Sequence, residues 1–164
     1  MTGNGDAARF AEELLALVKE TFEGGEPGKG TGFLENTKAD GTGNAGVFAT
    51  LDGLTAAQAS APTAMGTTIA SQAAHLAFHL EVSVRWANGD RGPFDWPGSH
   101  RPGVVDEAGW EAARARVRGA YAGIVAHARG AADWDSDAVG GLAAALVHAA
   151  YHLGAIRQIR KLAR

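Results

Sequence analysis

The sequence predicts an all-α protein, a four-helix bundle with a long first crossover connection. Three observations lead there. Four segments carry apolar residues at helical spacing over lengths that a strand does not reach. No segment alternates polar and apolar residues as a half-buried strand would. Capping residues and glycine stops separate the helical segments. A chain of 164 residues is one ordinary domain. It can bury about 70% of the surface its unfolded form exposes, so residues 1–164 are expected to share a single core.

The first helix is predicted over 6–23, with Phe10, Leu14, Val18 and Phe22 on its inner side. Asp6 is its N-cap and Gly24-Gly25 its stop. Residues 24–46 hold eight glycines and one proline, too many for a stable helix or strand. They form the loop of the crossover. Gly28-Lys29-Gly30-Thr31 hints at a phosphate loop, but Glu23 stands where the first glycine belongs and Gly30 follows the lysine. Residues 47–61 read as two short helical pieces, with Thr55 and Gln58 spaced as a capping box. A second long helix is expected from near Thr67 to Ala87, ended by Asn88-Gly89. Three prolines and four glycines make 89–105 an irregular loop. Asp106 caps a third long helix running to about Arg129, its inner side carrying Trp110, Ala113, Val117, Tyr121, Ile124 and Ala128. Ser136 or a neighbouring aspartate caps the fourth, over about 137–163.

Composition removes several function classes. Without cysteine there is no disulfide framework, thiolate metal site or cysteine nucleophile. Fifteen Lys and Arg against eighteen Asp and Glu give a net charge of -3, which argues against nucleic acid as a partner. No unbroken run of about 18 apolar residues occurs, so no membrane span is expected. The N-terminus has no basic region followed by an apolar stretch, so no secretory signal is read and the expected location is the cytoplasm.

Four of the six histidines lie in predicted helices as two i, i+4 pairs: His75 and His79, and His148 and His152. The rings of such a pair share one helix face, about 40° apart. On the second long helix Phe78, Val82 and Trp86 gather around His75, with Glu81 and Arg85 opposite. On the fourth, Ala145, Ala155, Ile156, Ile159 and Leu162 gather around His148 and His152, with Arg157 and Lys161 opposite. Both pairs are therefore expected to face into the bundle. Core histidines satisfied by hydrogen bonds are the plain alternative, but four imidazoles need partners for eight nitrogens. The inner arcs offer few others, among them Thr68, Gln72 and Ser83. A shared metal ion satisfies several rings at once.

What is missing narrows the metal chemistry. Ala149 replaces the glutamate of a zincin helix, and no Glu-x-x-His occurs for a carboxylate-bridged di-iron site. Imidazoles without inner carboxylates suit Zn, Ni, Fe or Cu, not Mg or Ca. Three ligands would leave a position open, and four would close the site. His100, in the proline-glycine loop, is expected to be solvated, and His127 to lie at the edge of its helix stripe.

HAAYHLGAIRQIRKL (148–162) resembles the fourth-helix signature of the DinB-like (YfiT-like) superfamily of metalloenzymes. AAHLAFHLEVSVRWANGD (73–90) resembles its second-helix signature, and VFATLDGLTAAQAS (47–60) also fits. The resemblance covers about 45–164. It implies a DinB/YfiT-like four-helix bundle with a three-histidine site, one ligand from the second helix and two from the fourth. Carried over, the ligands are His75, His148 and His152. His79 departs from the family pattern and is left as a fourth ligand, a partner of a ligand or a pocket-lining acid/base. The ion implied is one divalent transition metal, Zn or Ni first and Fe next. Some family members are thiol-dependent transferases or isomerases using bacillithiol or mycothiol, and a homodimer is the implied assembly.

Three functions follow as expectations. In the first, the ion activates a low-molecular-weight thiol or water toward a small electrophilic substrate, giving S-transfer, isomerisation or hydrolysis. Gln72 and Tyr151 are candidate pocket-lining residues by position, and Phe94 and Trp96 either close one end of the pocket or anchor their loop. In the second, the metal is structural and the bundle acts by dimerising or binding a partner, with Trp110 and Trp134 near helix ends. The third, action on nucleic acid, is opposed by the net charge. Arg157, Arg160, Lys161 and Arg164 are better explained as cations at a helix C-terminus.

Overall fold

The computed structural model describes residues 3–25, 31–34 and 45–162. The phosphate-loop look-alike at Gly28-Lys29-Gly30 and the end of the fourth helix at Ala163 lie outside these residues. The described residues are helical, with no strand among them. Four long helices, α1 (Gly3–Glu23), α4 (Ile69–Ala87), α5 (Glu107–Gly130) and α6 (Ser136–Leu162), are joined by two short ones, α2 (Val47–Asp52) and α3 (Ala56–Ser60). α4 packs on both α5 and α6, and α1 packs on α6. One core cluster draws residues from every helix, among them Phe22, Leu51, Ala59, Leu76, Trp110 and Ile156.

The helix limits follow from local chemistry. Thr55 and Gln58 form the capping box of α3, and Thr68 and Ser71 form another on α4. The carboxylate of Asp106 accepts the Gly109 N–H at 2.7 Å, and that of Asp135 accepts the Ala138 N–H at 2.8 Å. Asn88 closes α4, and Gly89 follows at φ +90, a backbone conformation that favours glycine. Past α1, Glu20 holds residues 32–34 by accepting the N–H groups of Gly32, Phe33 and Leu34 at 2.6, 2.9 and 2.8 Å. Trp110 is fully buried and donates Nε1–H to the Leu54 carbonyl at 2.9 Å, which pins α5 beneath the turn after α2. It is core, not interface.

Several inward assignments are corrected. Phe10 is 55% exposed, and Ala11 takes its place in the buried line of α1 with Leu14, Val18 and Phe22. A row of residues taken strictly every fourth position drifts about 40° per step around a helix, so its ends leave the buried face. Trp86 is exposed as well, because it lies on the His75 side of α4, away from the buried stripe. Leu162, at the end of α6, is exposed too, and Ala113 is only half-buried. α1 also begins earlier than Asp6, which falls in its first turn. On α4 the deepest residues are Ile69, Ala73, Leu76, Ala77 and Leu80, so His75 and His79 lie off the centre of that stripe. Alanines carry much of the contact, and a pattern weighted to large side chains misplaces its centre.

One helix nevertheless has the length of a membrane span, a property it shares with core helices. By length and composition α6 is apolar enough to cross a membrane, with an 18-residue window of mean hydropathy 1.5. Alanine raises that average without forming an unbroken run of large apolar residues. The other side of the helix packs on α1 and α4.

Candidate metal centre

His75 projects from α4, and His148 and His152 from α6, into one cluster where the two helices pack. One ligand atom from each of the three lies within 4.8 Å of the others, a spacing that can hold a metal ion. Metal–nitrogen bonds of about 2.0–2.1 Å put tetrahedral donors about 3.4 Å apart, so a bound ion would draw the three rings inward from that limit. The three rings are tilted to one another and none stacks on another. His75 and His148 are tilted by 54°, His75 and His152 by 57°, and His148 and His152 by 57°.

Two further imidazoles flank the three without joining them. His79 stacks on His148 with centroids 3.7 Å apart and planes 13° from parallel. His100 stacks on His75 at 4.0 Å and 7°. An imidazole lone pair lies in its ring plane, and one ion cannot lie in the planes of two stacked rings. As arranged, His79 is a stacking partner of a ligand candidate and not a fourth ligand of the same ion. His100, expected to be solvated, keeps an exposed edge but has its face covered by His75.

Hydrogen bonds hold two of the three rings. His152 is buried and donates Nδ1–H to Gln72 Oε1 at 2.8 Å. The Gln72 amide is turned that way because its Nε2 donates to Thr67 Oγ1 at 3.0 Å. His75 Nδ1 lies 2.6 Å from Ser99 Oγ, itself buried in loop 89–105. Each bond leaves Nε2 free to face the cluster. His148 differs: its Nε2 is buried with no hydrogen-bond partner, and so is His79 Nδ1. A buried nitrogen without a partner costs about 1–3 kcal/mol, which a bound ion at His148 would remove. The donor set and this orphaned atom fit a divalent transition ion.

The electrostatics keep the rings neutral. Burial pushes His79 and His152 down to about 4 and His148 to about 3, and repulsion among the histidines adds to it. His75 is lowered by burial and then by His100. Among the described residues no carboxylate or cationic side chain bonds to these histidines. Their lone pairs are available at neutral pH, and a divalent ion held by three neutral ligands keeps its full charge to act on a fourth.

Of the residues expected at the site, His75, His148, His152 and Gln72 come together and His79 lies against them. The Tyr151 ring stands edge-on to His152 at 5.2 Å and is 70% exposed. Phe94 anchors its loop under the Arg85 guanidinium at 4.6 Å. Trp96 packs edge-on against Phe78 at 5.1 Å and lies 6.3 Å from His75 and 6.1 Å from His79. Ser99 and His100 are the residues that sequence reasoning missed. The one available signal was a Ser-His pair in a proline-rich loop beside a histidine helix.

The chain matches no family model, no curated protein and no solved structure. The functional reading therefore stands on the site.

Proposed function

We propose that this chain is a metal-dependent enzyme on a DinB-like four-helix bundle. In this reading His75, His148 and His152 hold one divalent transition ion, Zn or Ni before Fe. The observation that carries it is the convergence of three imidazole ligand atoms within 4.8 Å from two helices, with no carboxylate bonded to them. When bound, the ion supplies Lewis acidity and lowers the pKa of a thiol or water, the nucleophile toward a small electrophilic substrate. A low-molecular-weight thiol is the first choice because the chain has no cysteine of its own to supply one.

The chain's own residues hold and orient. Gln72 fixes the His152 ring, and loop 89–105 lays Ser99 against His75 and Trp96 over Phe78. His75 and His148 are only partly buried, whereas His152 is buried, so the cluster lies nearest to solvent on the side of His75 and His148. Burial keeps the imidazoles from binding protons that would compete with the ion.

The test is chelation followed by assay. An ion at an open site leaves to a chelator while the circular dichroism spectrum and melting transition persist, and it returns on adding Zn or Ni. The reloaded protein should transfer a thiol to electrophilic acceptors faster than the stripped protein. Hydrolysis without thiol transfer would move the reading to water activation. Unfolding on chelation would make the metal structural.

A further inference from the structure

We propose that Ser99 is a positioning residue that fixes the tautomer of His75, so that metal affinity depends on loop 89–105 being seated. The inference rests on the metal-site reading above and extends it to a residue outside the two histidine helices.

A serine hydroxyl has one proton. In Ser99 it is donated to the Trp96 carbonyl at 2.6 Å, and the Ser99 backbone N–H reaches the same oxygen at 3.2 Å. The hydroxyl oxygen can then only accept from His75, and the 2.6 Å contact makes His75 Nδ1 the donor. A neutral imidazole with its proton on Nδ1 presents its lone pair on Nε2. Gln72 imposes the same tautomer on His152, through an amide turned by Thr67. The two rings are thus set by different elements: His152 by its neighbour helix α4, and His75 by the loop. Ser99 is one of only six buried polar or charged residues among those described, so water does not substitute freely for its hydroxyl. Removing an outer hydrogen-bond partner of a metal-ligating histidine typically weakens metal binding about 10–100-fold.

The experiment uses the full chain, wild type and Ser99→Ala, with Zn(II) titrated against a chromophoric chelator. Imidazole ¹⁵N shifts of the metal-free protein are read alongside at neutral pH. The expected result is Nδ1–H on His75 in the wild type, loss of that preference in Ser99→Ala, and Zn binding about 10–100-fold weaker with a near-native melting transition. Equal Zn affinity in the two proteins would overturn the proposal. So would a wild-type His75 protonated on Nε2, a readout that decides the matter even where Ser99→Ala does not fold. A wild type that takes up no Zn at all would instead refute the metal site, with the tautomer still reporting whether Ser99 holds the ring.

Discussion

Metal-free protein should lose stability steeply between pH 6.5 and pH 5. Burial sets three histidines far below their ordinary value, His79 and His152 at about 4 and His148 at about 3. In the unfolded chain each titrates near 6.5. Between those values the unfolded chain binds more protons than the folded one, so stability rises with pH. The contribution is whole above pH 6.5 and is lost as pH falls toward the folded values. At pH 5 each ring costs about 2 kcal/mol at most. Solvent screening at His79 and His148, and repulsion counted more than once among the rings, halve the sum, leaving about 3 kcal/mol for the three. For a chain of this length the melting temperature should fall by about 6–12 °C. The assay is thermal unfolding of the chelated protein at pH 7 and pH 5, beside His79→Phe. Ordinary carboxylates titrate too low to contribute much in that window. A wild type whose melting temperature is flat across it, or falls no more than that of the variant, would refute the buried neutral cluster.

Other expectations concern single side chains. His79→Phe should still bind about one Zn(II) per chain, because a stacked ring is replaced by another flat ring; loss of the ion would make His79 a ligand. Trp110→Phe removes the buried hydrogen bond to the Leu54 carbonyl and should cost about 1–3 kcal/mol in urea unfolding. Arg116→Ala breaks a two-pronged pair with Glu81 at 2.8 and 2.7 Å between α4 and α5. The pair is exposed, so the loss should stay below about 1 kcal/mol in the same assay.

The parts of this fold that local chemistry controls were legible in the sequence. Thr55-Gln58 and Asp106 mark helix starts by side-chain oxygens that accept orphan N–H groups, and they do so here. The i, i+4 histidine pairs were legible because helix geometry alone puts such rings on one face. Which face is buried was less legible. Phe10, Trp86 and Leu162 were placed inward by helical spacing, whereas Ala11, Ala73, Ala77 and Ala149 hold helix contacts that the pattern passed over. Close approach of helices selects small residues, and these carry little weight in a hydrophobic pattern. The loop was legible as irregular, but its path was not. Ser99 and His100 reach His75 through the path of an irregular chain with three prolines, which no periodicity encodes.

The central claim is that three histidines hold one ion. Metal content by mass spectrometry, on protein purified without an affinity tag or chelator, tests it beside His148→Ala. The account predicts about one divalent transition ion per chain in the wild type and none in the variant. No ion in either, and none taken up on adding Zn or Ni, would contradict it and leave the histidines as a core packed for its own sake.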